Sequence, residues 1–324
     1  MNVDRIALSN QTFEGQNNAY LLAGAETALI DTGDGTAETA EALAAALADR
    51  GIEFADVDRV LLTHWHGDHR GLAGRIQAAG GATVHARPAD ADLVAGNADA
   101  WRALERLYYR LFERWGMPRD KQAAVASVFS SMAWTDESPT VTPISPGDRL
   151  RVGDRTLEVV PAPGHTAGSC LFATDDGEAL TGDALLPTYT PNVGGADVRL
   201  DGALAAYLNT LEAIEAAGYD RAWPGHRAPI DDPALRAAEI REHHEQRAYR
   251  VLAALDRLGP SNAWTISAEL FGELENIHIL HGPGEAAAHL NHLAAAGAVA
   301  RDENTYRLAV DADALAAADG RWAL

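Results

Sequence analysis

The sequence has very little of several residue types, and each shortage excludes a class of protein. A single cysteine, Cys170, in 324 residues cannot form a disulfide framework or a cysteine-based metal cluster. No stretch of about 18 apolar residues is present, which excludes a transmembrane helix and predicts no membrane partner. The first residues lack a basic segment followed by an apolar run, so no signal peptide is predicted. We therefore expect a soluble cytoplasmic protein.

Lysine is also almost absent, since Lys121 is the only lysine among 26 basic residues, which face 47 acidic ones. The net charge of −21 and the abundance of alanine predict a halophilic source, where dense carboxylates keep a protein hydrated in molar salt. A high-GC genome also favours arginine and alanine, but it does not by itself explain so large an acidic excess. The same charge disfavours broad binding to nucleic acid.

Short apolar runs alternate with helical patterns over the first 230 residues, which predicts an α/β architecture. Helices are predicted at residues 36–50, 71–79 and 200–217, each close to a glycine that ends it. Strands are predicted at residues 18–23, 27–31, 58–63, 82–86, 149–152, 156–161, 168–173, 178–181 and 221–223.

Two regions differ from this pattern. Residues 101–135 carry Trp101, Tyr108 and Trp115 at helical spacing, which predicts a helical insertion. This aromatic stripe fits core packing, a homodimer contact or a lid that walls a substrate pocket. Residues 231–324 predict three helices and a hairpin, an order that suggests a winged-helix module. We therefore divide the chain into a catalytic domain, 1–230, and a C-terminal module, 231–324.

The segment Thr63-His64-Trp65-His66-Gly67-Asp68-His69 is the strongest chemical signal in the chain. Three imidazoles and a carboxylate within six residues are costly to bury without a partner, and a cation such as Zn²⁺ is the natural one. Three further candidates each follow a predicted strand beside glycine or proline, namely His165, Asp183 and His226. Together these residues offer enough ligands for two divalent metal ions. Zinc fits best, although iron and manganese also accept histidine and aspartate.

The motifs THWHGDH, PGHTAGS, TGDAL and PGH, in this order, resemble those of the metallo-β-lactamase superfamily and its dinuclear hydrolases. The resemblance covers residues 1 to about 230 and implies a four-layer αββα sandwich with Asp31 as its structural aspartate. The C-terminal region resembles the winged-helix tail of the glyoxalase II-like and lactamase-B-like branch.

The resemblance also implies a role for each candidate ligand. It assigns His64, His66 and His165 to a first metal, Asp68, His69 and His226 to a second, and Asp183 to a bridge between them. In such an enzyme a metal-bound hydroxide attacks the substrate, and Asp68 serves as the catalytic residue that orients the nucleophile and passes a proton to the leaving group. Tyr189, in the loop after Asp183, is a candidate for substrate contact.

These residues predict a hydrolase that cleaves a small ester, thioester or lactone. The alternative is an endonuclease for single-stranded RNA, which the expected winged helix favours. A nucleic-acid surface should carry clustered basic residues, whereas the arginines of residues 231–324 are spread among acids. We therefore expect a small-molecule substrate, with nucleic acid as the less favoured partner.

Overall fold

Two mixed β-sheets form the centre of the structure. The computed structural model describes residues 3–9, 16–132, 137–152 and 155–309. The first sheet has the order β1 (Asp4–Ser9), β2 (Gln16–Leu22), β3 (Ala28–Ile30), β4 (Arg59–Leu61), β5 (Thr83–Ala86) and β6 (Val141–Pro143). The second runs from β11 (Arg221–Pro224) through β10 (Glu178–Gly182), β9 (Cys170–Thr174) and β8 (Arg155–Pro161) to β7 (Arg149–Val152). Strands β3 to β6 are mutually parallel, as are β10 and β11, and the other neighbours in these sheets are antiparallel.

The two sheets pack face to face and are covered by helices on their outer faces. Strand β2 illustrates the arrangement, because Tyr20 points between the sheets while Leu21 points to the outer layer. The outer layer of the first sheet contains α1 (Ala37–Ala48) and α3 (Ala73–Gly80), and that of the second contains α7 (Ala203–Ala217). This αββα order is the one that the resemblance implies.

Apolar burial explains why these elements form where they do. Helix α1 begins at Thr36, whose side chain accepts a hydrogen bond from the backbone N–H of Thr39, and buries Leu43 and Leu47 on one face. Each such leucine contributes roughly 1.5–3 kcal/mol when it is fully buried. The described helices of the first 100 residues also include the four-residue α2 (Gly67–Arg70), α4 (Pro88–Val94) and a short 3-10 helix at Phe54–Asp56.

The predicted insertion forms α5 (Ala98–Trp115) and α6 (Arg119–Met132), and its residues 133–135 lie outside the described ranges. Helix α5 ends at Gly116, whose φ of 75° is a conformation that glycine adopts without strain. Its aromatic stripe, including Tyr108 and Trp115, is buried in the core of this chain. That face therefore packs internally, one of the alternatives that the sequence left open.

The C-terminal region contains α8 (Pro233–Leu258), α9 (Ala263–Phe271), α10 (His278–Ala295) and the hairpin β12 (Val299–Asp302) and β13 (Thr305–Leu308). This is the expected order of three helices and two strands, and residues 310–324 lie outside the described part of the chain. Val251, Ile266 and Leu290 of these helices belong to the same hydrophobic core as Phe112 of α5. The C-terminal helices are thus packed against the insertion.

The sequence did not indicate five elements, namely β1, β6, α4, α2 and the 3-10 helix at Phe54–Asp56, and it placed one helix start wrongly. Strands β1 and β6 lie at the two edges of the first sheet, and both they and α4 lack a sustained apolar run. Helix α10 begins seven residues before the predicted start at Glu285 and continues through Pro283. Its buried Ile279 and Leu280 outweigh the helix-breaking signal of the Gly-Pro-Gly sequence. Among the helices in the described ranges, none is long and apolar enough to cross a membrane.

Candidate active site

The seven candidate ligand residues lie together at one edge of the two sheets. His64 and His66 follow β4, Asp68 and His69 lie in α2, His165 follows β8, Asp183 follows β10, and His226 follows β11. Strands β8 and β10 are both antiparallel to β9, and β11 is parallel to β10, so their carboxyl ends meet at the same edge. The topology therefore brings together four segments of chain that are far apart in sequence.

Three histidines converge to form a first group. The Nδ1 atom of His66 lies 2.9 Å from Nε2 of His64 and 3.0 Å from Nε2 of His165. A ring nitrogen has one lone pair or one proton, so Nδ1 of His66 cannot make two good hydrogen bonds at once. Burial lowers the pKa of His66 to about 3 and that of His64 well below its usual range. These are neutral imidazoles, the form that binds metal.

A second group consists of Asp68, His69 and His226, and Asp183 lies between the two groups. Nε2 of His226 lies 3.7 Å from Oδ2 of Asp68. The carboxylate of Asp183 lies 3.4 Å from Nε2 of both His69 and His226, and 3.6 Å from Nε2 of His165. Asp183 is therefore the residue whose oxygens reach ligand candidates of both groups.

Each of the five histidines uses its other ring nitrogen in a contact with an oxygen outside the cluster. The outer contacts are His64 with Oγ1 of Thr63 (3.0 Å), His66 with the Ala196 carbonyl (3.3 Å), His69 with Asp31 (2.8 Å), His165 with the Asn192 carbonyl (2.8 Å) and His226 with the Gln16 carbonyl (2.8 Å). An N–H that donates outward leaves the second ring nitrogen facing inward as an acceptor. Five inward nitrogens and two carboxylates form a donor set that fits two divalent cations.

The charges at the site also suit a cation. Burial alone would raise the pKa of Asp183, but His226 and His69 outweigh it and hold that pKa well below its usual range. Burial would likewise lower the pKa of His69, yet Asp183, Asp68 and Asp31 raise it well above 6.5. Nε2 of His69 and Oδ1 of Asp183 are buried and make no hydrogen bond. The cluster thus contains buried carboxylates and buried polar atoms that a metal ion would satisfy, and the ion would replace the proton that these carboxylates hold on His69.

Asp31 follows strand β3 and connects its end to Thr63 and His69 of the THWHGDH segment. Its carboxylate accepts hydrogen bonds from the N–H (2.9 Å) and Oγ1 (2.7 Å) of Thr63, and it holds Nδ1 of His69. Its backbone has a φ of 56°, a left-handed conformation that aspartate tolerates better than most residues. Asp31 therefore lies where a structural aspartate is expected.

Gly225 shows why the last motif, PGH, needs a glycine before His226. A Cβ atom at this position would lie 2.4 Å from Oδ1 of Asp183 and 2.6 Å from Cε1 of His69. Any side chain would therefore fill the space between these two residues.

A buried ionic network lies under the histidine loops, and no sequence pattern indicated it. Asp90 accepts hydrogen bonds from the N–H of Trp65 (3.2 Å) and from Oγ1 of Thr166 (3.0 Å). Asp197 accepts from the N–H of Ala167 (2.9 Å) and from the indole of Trp65 (3.3 Å). These two carboxylates therefore fix residues that neighbour His64, His66 and His165 in the chain.

Arg199 neutralises both carboxylates, since its Nη2 lies 2.6 Å from Asp90 and 2.6 Å from Asp197. Burial nevertheless raises the pKa of Asp90 to about 6. Asp90 lies in the short helix α4 and the other two residues lie in a loop, and such isolated charges carry no local pattern, so only the folded chain reveals this network. Asn17 was also missed, although a polar residue in the apolar strand β2 is a detectable signal, and its Nδ2 donates to Oδ2 of Asp68 (3.2 Å).

The structure also shows the surroundings of three other residues named in the sequence analysis, Tyr108, Tyr189 and Cys170. The Tyr108 hydroxyl donates to the Ala196 carbonyl (2.8 Å), the same oxygen that contacts His66. Tyr189 lines a cavity of about 510 Å³ beside α8, together with Arg236 and His243. Cys170 is buried between the sheets, as predicted for a small apolar residue, and burial raises the pKa of its thiol.

Comparison with known proteins extends these observations. The family model described as the metallo-beta-lactamase superfamily matches residues 12–226. The chain is 27% identical over 290 residues to the probable metallo-hydrolase YqjP of Bacillus subtilis (strain 168), covering 86% of this chain and 88% of that protein. It is 26% identical over 273 residues to the atrochrysone carboxyl ACP thioesterase AacuM of Aspergillus aculeatus, covering 84% and 69%.

Solved structures agree with this assignment. A metallo-beta-lactamase family protein of Thermus thermophilus superposes with a TM-score of 0.81 and 32% identity, over 94% of this chain and 98% of the other. A beta-lactamase domain protein of Burkholderia ambifaria gives a TM-score of 0.79 at 25% identity, covering 94% and 91%. The chain therefore belongs to the metallo-beta-lactamase superfamily and is a hydrolase of that superfamily.

Proposed function

We propose that this protein uses two divalent metal ions to hydrolyse a small carboxylic derivative, with thioesters as the first class to test. The observation that carries the proposal is the position of Asp183, whose carboxylate lies within 3.4–3.6 Å of histidine nitrogens from both ligand groups. A carboxylate in this position is suited to bridge two cations.

The proposed ligands follow from the inward-facing atoms. His64, His66 and His165 would hold one ion, and Asp68, His69 and His226 the other, with Asp183 shared. When bound, such ions lower the pKa of water and polarise the substrate carbonyl. Zinc is the proposed metal, because the donor set is rich in imidazole. Iron and manganese accept the same ligands.

Asp68 is the proposed catalytic residue. Asn17 donates to both the backbone carbonyl (2.9 Å) and Oδ2 (3.2 Å) of Asp68, and so restricts its rotamer. A carboxylate held in this way can orient the attacking water and then pass a proton to the departing group.

A thioester is the favoured substrate class for two reasons. The thioesterase AacuM is among the relatives of this chain, and a thiolate leaving group departs without strong acid assistance. Esters and lactones undergo the same attack and stay within the proposal. Tyr189 is proposed to contact the substrate, since Arg227, the residue that follows His226, lies 5.1 Å over its ring.

The second candidate function is cleavage of single-stranded RNA. Its support is the order of α8, α9, α10 and the β12–β13 hairpin, which fits a winged-helix module. Against it, several arginines of α8 are paired with acids rather than displayed for phosphates. These pairs are Arg236 with Glu239, Arg241 with Glu212 and Glu215, Arg247 with Glu285, and Arg257 with Glu269.

A substrate panel separates the two functions. We expect turnover of acyl thioesters and lactones that varies with the acyl chain and is abolished by His66→Ala. His278→Ala is the matched control, because this histidine is exposed and lies outside the ligand groups. Single-stranded RNA should remain intact. RNA cleavage that is lost with His66→Ala, weakens linearly with salt on a log–log plot and occurs without thioester or lactone turnover would contradict the proposal.

The acidic composition gives a separate prediction about stability. If the charge of −21 reflects a halophilic cytoplasm, molar KCl should raise the melting temperature by several degrees, because it screens repulsion between carboxylates. Thermal unfolding in dilute and molar KCl measures this effect. An unchanged midpoint would favour the high-GC explanation for the composition.

A further inference from the structure

We propose that Asn192 and Glu285 are positioning residues, through which the C-terminal helix α10 holds His165 and His66 in the geometry that binds the first metal. The inference rests on the proposed ligand assignment. It gives the C-terminal helices a role in the metal site itself, in addition to their packing against the insertion.

The backbone of Asn192 sets the orientation of His165. A carbonyl oxygen can only accept, so the 2.8 Å contact between this carbonyl and Nδ1 of His165 places the ring proton on Nδ1. Nε2 is then free of a proton and faces His66 at 3.0 Å. A shift of the Asn192 carbonyl would therefore turn the ligand atom away from its metal.

The side chain of Asn192 also affects His66, because it closes a turn that contains Ala196, whose carbonyl contacts His66. Its Oδ1 accepts hydrogen bonds from the N–H groups of Gly195 (3.0 Å) and Ala196 (2.8 Å). The carbonyl of Ala196 in turn lies 3.3 Å from Nε2 of His66. One asparagine thus positions the two carbonyl oxygens that contact the outward-facing nitrogens of His165 and His66.

The same side chain is anchored by α10. Nδ2 of Asn192 donates to the carbonyl of His281 (3.2 Å) and to Oε2 of Glu285 (3.1 Å). Glu285 is 7% exposed, and its other oxygen forms an ion pair with Arg247 of α8. The orientation of Asn192 is therefore fixed by a buried carboxylate that two C-terminal helices hold in place.

Glycines allow α10 to approach the turn this closely. A Cβ atom on Gly284 would lie 2.3 Å from Cα of Gly195 and 2.6 Å from the carbonyl oxygen of Gly194. The backbones of the helix and the turn are thus in direct contact. This explains Gly284 of the Gly-Pro-Gly sequence within α10, whereas a Cβ atom on Gly282 would lie 2.6 Å from Oγ of Ser267.

Glu285 also lies beside two buried histidines, and three of their four ring nitrogens have partners within the chain. Nδ1 of His244 contacts Nε2 of His289 at 3.3 Å, and Nδ1 of His289 donates to the carbonyl of Glu285 at 2.9 Å. The guanidinium of Arg247 already pairs with the Glu285 carboxylate, so an arginine supplies the positive charge that a metal ion would otherwise bring to this carboxylate. We therefore assign Glu285 to the support of Asn192 rather than to a third metal.

The test measures metal affinity at each group separately in the full chain. His226→Ala leaves the first group complete, and His165→Ala leaves the second. In each background, zinc affinity is measured by chelator competition for Glu285→Ala, for Asn192→Asp and for the control Glu269→Ala, whose carboxylate pairs with Arg257 at the surface. Asn192→Asp keeps the Oδ1 acceptor and replaces the Nδ2 donor by a carboxylate oxygen that faces Oε2 of Glu285, so it breaks the link to α10 if Glu285→Ala folds poorly.

We expect Glu285→Ala and Asn192→Asp to weaken zinc binding at the first group by about 10–100-fold, the usual effect of losing an outer partner, and to leave the second group unchanged. Equal affinities for these variants and Glu269→Ala would overturn the inference. So would an equal loss at both groups accompanied by a lower melting temperature of the metal-free protein, which indicates general destabilisation. A parent protein that binds fewer than two zinc ions would instead contradict the proposed two-metal function.

Discussion

Asp183→Ala is expected to lower the rate of hydrolysis by on the order of 10³-fold or more. Loss of a residue that only hydrogen-bonds to a ligand lowers activity by about 10–100-fold, and loss of a ligand shared by two ions should have a larger effect. Asp183 is the carboxylate that reaches histidines of both groups, so its loss removes a ligand from each proposed ion. Metal content should fall below two equivalents per chain. Steady-state kinetics and elemental analysis of the same preparation measure both effects.

The matched control for this variant is Asp231→Ala, which removes an exposed carboxylate that pairs with Arg221 at the surface. It should retain full activity and two metal ions. The melting temperature of the metal-free Asp183→Ala protein verifies that the fold is intact. Two bound ions together with nearly unchanged turnover in Asp183→Ala would show that the residue does not bridge.

Arg199→Ala should cost roughly 3–5 kcal/mol in the free energy of unfolding, because it leaves two buried carboxylates without a cation. Asp90 and Asp197 are both essentially inaccessible to solvent, and the guanidinium of Arg199 contacts each at 2.6 Å. Denaturant unfolding of the metal-free protein measures the loss. Metal affinity should fall as well, because these carboxylates hold Trp65, Thr166 and Ala167 beside the proposed ligands.

The control here is Arg102→Ala, which breaks an exposed pair with Asp99 and should cost no more than about 0.5 kcal/mol. Replacing the network as a whole, with Asp90→Asn and Asp197→Asn added to Arg199→Met, should recover part of the lost stability, because no buried charge is left unpaired. An Arg199→Ala protein as stable as Arg102→Ala would mean that water or a rearranged side chain solvates both carboxylates.

The local chemistry of the sequence was sufficient to single out the seven candidate ligand residues that the structure brings together. His64, His66, Asp68 and His69 lie within one short segment, and an uncommon cluster of this kind is visible without any tertiary information. His165, Asp183 and His226 were recognisable because each follows an apolar strand and adjoins a glycine. The central strands were predictable for a similar reason, since strands buried on both faces read as continuous apolar runs.

The supporting residues were not predictable, because their importance depends on what the fold brings beside them. Asp90 and Arg199 are 109 positions apart in sequence and in contact in the structure. Glu285 resembles any surface glutamate of an alanine-rich helix until α10 packs against the Asn192 turn. Edge strands β1 and β6 share this difficulty, since each pairs with one neighbour in the sheet and neither carries a sustained apolar run.

The two sheets contribute differently to the cluster, since His64 and His66 extend from the first sheet whereas His165, Asp183 and His226 extend from the second. Ions held by these residues would act as cross-links between the halves of the sandwich. Ligand binding and folding would then form one coupled equilibrium, in which a free metal concentration 1,000 times the dissociation constant adds about 4 kcal/mol to stability. Separation of the two halves would release the ions, so the rate of metal loss to a chelator would set an upper limit on how often the sandwich separates.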